Sequence, residues 1–120
     1  MTEASRSIAI VDDDDGVRRA LIRLVRALGF RASAYASADA FLAEVPCDRC
    51  GCVLLDLHMP GIGGVDALAA IRRRGDPPAV VVMTARDAPG LRDRCLKAGA
   101  AAYLTKPLDP AEVNALLLRL

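Results

Sequence analysis

Four short apolar runs in the sequence end in side chains that can do chemistry. The stretch Cys52–Gly61 shows the pattern most clearly, because four apolar residues lead into Asp56 and a turn follows at once. In chain order, the residues at the ends of the four runs are Asp12 and Asp13, then Asp56, Thr84 and Lys106. A run of this length is typical of a buried strand, and its end would project the polar residue into a loop.

These residue types suit a metal-assisted transfer of a phosphoryl group. Two carboxylates about 4 Å apart repel by roughly 4 kcal/mol at an effective dielectric near 20, so three clustered acids require more positive charge than Lys106 alone provides. Carboxylate and phosphate oxygens are the ligands that Mg²⁺ prefers. Asp56 is ionised at neutral pH without a base, so it could act as a nucleophile and accept the phosphoryl group. The metal and Lys106 would stabilise the equatorial oxygens of that group, and Thr84 could donate a hydrogen bond to it.

The rest of the chain supplies the elements that would bring these residues together. Apolar runs alternate with helical spacing, which predicts five strand–helix units in one α/β domain covering residues 1–120. The predicted strands are Ser7–Val11, Arg31–Tyr35, Cys52–Leu55, Ala79–Met83 and Ala101–Leu104. The predicted helices lie within Val17–Leu28, Ser37–Val45, Val65–Arg74, Leu91–Ala98 and Pro110–Leu120, with Ser37 and Asp109 as caps.

This alternation predicts a doubly wound parallel sheet of order 2-1-3-4-5, the flavodoxin-like arrangement, with helices on both faces. The second strand alternates polar and apolar residues, so it is expected at an edge. In such sheets, ligands bind at the carboxyl ends of the strands, near the point where the strand order reverses. The proposed order places strands one, three, four and five side by side, so the residues at their ends should converge.

The bulk properties narrow the class of protein. The formal net charge of +1 argues against direct binding of nucleic acid. The sequence has neither an apolar stretch of membrane-spanning length nor the apolar core of a signal peptide, so a cytoplasmic location is expected. The four cysteines, Cys47, Cys50, Cys52 and Cys95, are then expected to be reduced thiols. The spacing of the first three leaves a metal or redox role open, although a second close pair of ligands is missing and Cys52 lies in a strand.

Several polar residues near the expected site also have purely structural interpretations. Asp14 or Asp15 would serve as a helix cap or turn former. His58 is expected to be exposed in a turn, and as the single histidine its side chain is a poor candidate for a metal ligand. Tyr103 has the pattern of a core residue.

Five segments together resemble the receiver domain of bacterial two-component response regulators, and the resemblance covers essentially the whole chain. These segments are Ile10–Asp14, Leu55–Gly61, Val82–Ala85, Lys97–Ala100 and Tyr103–Pro107. Each is weak alone, and their common order and spacing make the set specific. Ser37–Leu42 further resembles the FixJ-type subgroup of this family, which acts in nitrogen fixation.

The resemblance implies that a sensor histidine kinase passes a phosphoryl group from its phosphohistidine to Asp56. It also implies that Mg²⁺ is bound by the side chains of Asp13 and Asp56 and by the backbone carbonyl of His58. Asp12 would hold a metal-bound water. Lys106 would contact the phosphoryl group, next to a Lys106–Pro107 bond in the cis form.

The same resemblance implies a switch. Thr84 would move toward the phosphate and Tyr103 would swing inward behind it, which changes the surface of helix four, strand five and helix five. Dimerisation through this surface is expected after phosphorylation. His58 and Arg86 lie two residues beyond Asp56 and Thr84, so we expect their side chains to border the phosphoryl group and to set its lifetime.

The expected activity is limited to the protein's own phosphorylation and dephosphorylation, without turnover of an external substrate. The chain is expected to be either a stand-alone receiver or a receiver followed by a DNA-binding output domain outside these residues.

Three alternatives use similar features. A phosphatase of the haloacid dehalogenase type also uses an aspartate nucleophile, Mg²⁺ and a lysine, but it needs a second aspartate where this chain has His58. A flavodoxin-like cofactor binder would need a hydroxyl- or glycine-rich loop after strand one, where this chain has four aspartates. A degenerate receiver that only binds proteins would not need the complete set of acids, threonine and lysine.

Overall fold

Strands and helices alternate along the chain in a computed structural model. The structure describes residues 7–44, 50–59, 63–75 and 77–119. The strands are β1 (Ser7–Val11), β2 (Arg31–Tyr35), β3 (Cys52–Asp56), β4 (Ala79–Thr84) and β5 (Ala102–Thr105). The helices are α1 (Asp15–Ala27), α2 (Ala38–Ala43), α3 (Gly64–Arg72), α4 (Leu91–Lys97) and α5 (Pro110–Arg119).

The five strands form one sheet in the order β2-β1-β3-β4-β5, with every neighbouring pair parallel. This confirms the predicted doubly wound α/β fold and the edge position of β2. Val11 pairs with Leu55, so β1 and β3 end side by side, and Asp56 pairs with Met83 of β4 in the same way. The register therefore aligns the carboxyl ends of the three central strands.

Two apolar layers hold the helices on opposite faces of the sheet. Ile8, Ile10 and Leu54 point to one face, where they pack with α1 and α5. Val53 and Leu55 point to the other face, where they pack with α2, α3 and α4. Successive side chains of β1, β3 and β4 point to opposite faces of the sheet, and both sets are buried. This explains why these strands are continuous apolar runs in the sequence.

Several element boundaries match the predicted caps. The side chain of Asp14 accepts a hydrogen bond of 3.1 Å from the backbone N–H of Val17 at the start of α1, and Ser37 accepts one of 3.1 Å from Ala40 in α2. Gly90 has a φ of 80° before α4, a conformation that glycine adopts without strain. Gly90 is the N-cap residue, and α4 begins at Leu91, as predicted.

Several boundaries differ from the predicted ones. Gly64, outside the predicted third helix, is the first residue of α3. The strands β3, β4 and β5 each extend one residue further than predicted, to Asp56, Thr84 and Thr105. The fifth strand begins at Ala102, one residue later than predicted, although Ala101 already donates its N–H to the carbonyl of Val80 in β4. Other parts of the predictions lie outside the described residues, namely those that concern Val45, Cys47, Pro60, Gly61 and Leu120.

None of the helices in the described ranges combines the length and the apolar character that crossing a membrane requires.

Gly64 allows α3 to approach the end of β3 closely. A Cβ atom at this position would lie 2.5 Å from the Cα of Leu57 and 2.7 Å from its carbonyl oxygen. Both contacts are with backbone atoms, so they could be relieved only if α3 moved away from the loop that follows Asp56.

Gly64→Ala is therefore expected to lower the free energy of unfolding by about 3 kcal/mol, the upper part of the range for overpacking a tight site. Gly75→Ala is the matched control, because a Cβ at Gly75 would meet nothing within 4 Å. Urea denaturation measures both variants. Equal stability of the two would contradict the close approach of α3 to Leu57.

Candidate functional site

Three carboxylates meet at the carboxyl ends of β1 and β3. Asp12, Asp13 and Asp56 each offer one oxygen, and these three oxygens all lie within 4.8 Å of one another. Asp12 and Asp56 are buried, whereas Asp13 is exposed. The predicted convergence of the acids is thus present, with one side open to solvent.

The ammonium group of Lys106 lies between the two buried acids. Its Nζ donates to Oδ2 of Asp12 at 2.6 Å and lies 3.6 Å from Oδ2 of Asp56. The side chain of Asp12 is fully buried, and its other oxygen accepts the N–H of Asp14 at 2.9 Å. Lys106 is therefore bound mainly to Asp12, while its contact with Asp56 is looser.

Asp56 has an unfavourable electrostatic environment. Burial raises the pKa of its carboxyl group, and the nearby charges of Asp12 and Asp13 raise it further. The backbone N–H of His58, which donates to Oδ1 at 3.1 Å, and the charge of Lys106 lower this pKa. The net shift is upward, so the ionised form of Asp56 is held at a cost that a bound cation would relieve.

Thr84 is fully buried at the end of β4, beside the acids. Its Oγ1 accepts the backbone N–H of Arg86 at 2.9 Å and lies 2.6 Å from Nε2 of His58. His58 is exposed, as predicted, but its imidazole contacts Thr84, which the sequence did not suggest. The residue also has a backbone contact with Asp56, so it bridges the ends of β3 and β4.

Tyr103 is buried in β5, in agreement with its core pattern. Its hydroxyl donates a hydrogen bond of 2.7 Å to Oδ1 of Asp87, in the loop that follows β4. Burial and this hydrogen bond raise the pKa of Tyr103 to about 12. The phenol is therefore neutral and ties β5 to the loop that carries Arg86 and leads to α4.

Arg18 is a further residue at the site, and its position differs from that of the other arginines of α1. Its Nη1 donates to the backbone carbonyl of Asp12 at 2.7 Å, and its Nη2 pairs with Asp15. Its side chain is 17% exposed, compared with 69% for Arg19. Arg18 fastens the acidic loop to the first turn of that helix.

The cysteines show no sign of a metal centre in the described part of the chain. Cys52 and Cys95 are buried free thiols, and Cys50 is half-buried. Burial raises the pKa of Cys52 to about 12, which keeps this thiol protonated. Cys47, the remaining member of the spacing, lies outside the described residues.

This fold and site define a receiver-type α/β domain, and comparison with known proteins agrees. Residues 8–118 match the family model of the response regulator receiver domain. The chain belongs to this family and is a receiver of the two-component, phosphorelay type.

Individual relatives support the assignment to the FixJ-type branch. The chain is 42% identical over 112 residues to the transcriptional regulatory protein FixJ of Azorhizobium caulinodans, covering 92% of this chain and 53% of the relative. The crystal structure of FixJ-N is 30% identical, with a TM-score of 0.83 and coverage of 94% of this chain and 90% of that one. The chain spans about half the length of the curated relatives it matches.

A further solved structure is the receiver domain of the sensor histidine kinase PA1611 from Pseudomonas aeruginosa, with a magnesium ion coordinated in its active site cleft. It is 28% identical to this chain, with a TM-score of 0.83 and coverage of 94% of each chain.

Proposed function

We propose that the protein is a phosphorylation switch in which Asp56 accepts a phosphoryl group from the phosphohistidine of a sensor histidine kinase. One observation carries this proposal: three carboxylates lie together at the ends of β1 and β3, with Lys106 bound between the two buried ones. A bond would form between a carboxylate oxygen of Asp56 and phosphorus as the phosphorus–nitrogen bond to the donor imidazole breaks. Hydrolysis by water would later restore the carboxylate.

The donor set fits Mg²⁺, and we propose Asp13 and Asp56 as side-chain ligands, with the backbone carbonyl of His58 and a water held by Asp12. All the side-chain donors are oxygens, as Mg²⁺ requires. The oxygens of the three carboxylates lie within 4.8 Å of one another, so one cation could reach them directly or through water. Bound Mg²⁺ would supply positive charge to the phosphoryl oxygens during transfer.

The chain's own residues would do the remaining work. Oδ1 of Asp56 accepts a hydrogen bond from the backbone N–H of His58. Oδ2, which lies nearer Lys106, is therefore the oxygen that would attack phosphorus. The ammonium of Lys106 would stabilise negative charge on the transferred group. Thr84 would donate a hydrogen bond to the product, and Tyr103 would rearrange with the loop that it binds through Asp87.

Phosphorylation would change the surface formed by α4, β5 and α5. Tyr103 and the β4–α4 loop connect this surface to Thr84. We propose that it controls dimerisation or a DNA-binding output domain, as the description of FixJ as a transcriptional regulatory protein suggests. The reaction changes only the protein itself, and the cytoplasm, where its kinase partner would act, is the proposed location.

Intact mass spectrometry with acetyl phosphate tests this function. We expect a single phosphoryl adduct in the presence of Mg²⁺, and its loss when EDTA is added. Asp13→Asn should raise the Mg²⁺ concentration needed for adduct formation. Asp14→Asn, which removes one charge at the next residue and keeps the helix cap, should leave that concentration unchanged. Absence of an adduct at every Mg²⁺ concentration would contradict the proposal.

A further inference from the structure

The hydroxyl of Thr84 is already engaged in the unphosphorylated protein. A threonine hydroxyl has one hydrogen to donate and two lone pairs to accept with. The N–H of Arg86 occupies one lone pair, at 2.9 Å. Nε2 of His58, at 2.6 Å, either accepts the hydroxyl hydrogen or donates to the second lone pair, depending on the tautomer. In both cases His58 fixes the position of Oγ1.

The same histidine is joined to the phosphoryl acceptor. Its backbone N–H donates to Oδ1 of Asp56 at 3.1 Å, while its imidazole holds Thr84. A change at Asp56 would therefore act on the backbone of His58, and the imidazole of the same residue holds the hydroxyl of Thr84. Thr84 is fully buried and His58 is exposed, so the imidazole lies on the solvent side of the hydroxyl.

We propose that His58 is a positioning residue that holds Thr84 in its resting arrangement. Because the imidazole fixes Oγ1 in either tautomer, this contact must break before Thr84 can move toward a phosphoryl group on Asp56. His58 thus biases the switch toward the resting state and lowers the gain in stability that phosphorylation brings. This inference rests on the proposed function, because it assumes that Thr84 responds to a group on Asp56.

Beryllofluoride with Mg²⁺, a non-covalent mimic of a phosphoryl group, is a suitable probe. His58→Ala is expected to increase its affinity about three- to tenfold, which corresponds to the net contribution of one hydrogen bond. Isothermal titration calorimetry gives the affinity. Thermal unfolding of each variant without ligand checks that the fold is retained.

A double-mutant cycle shows whether the effect passes through Thr84. Thr84→Val keeps the shape of the side chain and removes the hydroxyl. In that background, His58→Ala should change the affinity for beryllofluoride less than about twofold, because the contact it removes is already absent. A merely steric or structural role of His58 would give equal changes in both backgrounds.

The outcomes separate this inference from the proposed function. An increase confined to the background with Thr84 supports the inference. No increase, or the same increase with and without the Thr84 hydroxyl, overturns it while leaving Asp56 as the acceptor. If the wild-type protein binds no beryllofluoride and forms no adduct with acetyl phosphate, the proposed function fails and the inference fails with it.

Discussion

Asp56→Asn is expected to eliminate the phosphoryl adduct, reducing its yield at least about a thousandfold. The amide nitrogen and carbonyl oxygen of asparagine are not ionised, so the variant lacks the charged nucleophile on which the transfer depends. The neighbouring acids cannot replace it readily, because Asp12 is bound to Lys106 and Asp13 is exposed to solvent. Intact mass measurements with acetyl phosphate and Mg²⁺ give the yield.

The same substitution should make the protein more stable. The raised pKa of Asp56 favours folding at pH values below the ordinary carboxyl range, and this contribution is lost as the pH rises through the folded-state pKa. At neutral pH the fold therefore holds a buried charge beside two other carboxylates. Asparagine removes that charge, so we expect a gain of the order of 1 kcal/mol, or about 4 °C in Tm.

Asp14→Asn is the control for both effects, because it removes one charge nearby and retains the cap of α1. It should form the adduct and show little change in Tm. An Asp56→Asn variant that is phosphorylated as well as the wild type would show that another residue is the acceptor. A lower Tm for that variant would show that its carboxylate stabilises the fold.

Lys106→Met is expected to cost about 3 kcal/mol of stability, since it leaves the fully buried carboxylate of Asp12 without its ammonium partner. Methionine retains most of the length of the side chain and none of its charge. The variant should also accept a phosphoryl group much more slowly, because no ammonium remains to stabilise the transferred oxygens. Urea denaturation and the rate of adduct formation measure the two effects.

Lys97→Met provides the matched control, because Lys97 is the other lysine of the sequence and is exposed in the last turn of α4. It should change stability by less than about 0.5 kcal/mol, as is usual for surface substitutions. Mg²⁺ should restore part of the stability of Lys106→Met, because it supplies positive charge to the same acids. Equal loss in the two lysine variants would refute a special role for Lys106.

The fold could be predicted because the strands carry a strong local pattern. Cys52–Asp56 is an apolar run with a carboxylate at its end, and the structure places all five of its residues in a buried strand. A parallel sheet aligns such ends, so the strand order was sufficient to bring Asp12 and Asp56 together. The same argument placed Lys106, 94 residues from Asp12 in the chain, at this edge of the sheet, but it did not predict that these two side chains pair.

The contacts of loop side chains could not be predicted in the same way. His58 lies just after β3, and its imidazole contacts Thr84, 26 residues away in the chain. Arg18 follows the helical spacing of α1, but its long side chain turns back to the carbonyl of Asp12. Periodicity predicts the direction in which a side chain leaves a helix or strand. It does not predict where the terminal atoms of a long, flexible side chain lie.

Reduction of the phosphorylated protein with borohydride tests the central claim most directly. Borohydride converts an aspartyl phosphate to homoserine, so peptide mass spectrometry can locate the acceptor. The structure predicts homoserine at position 56, formed only after treatment with acetyl phosphate and Mg²⁺. Homoserine at position 12 or 13, with unchanged aspartate at position 56, would contradict the account.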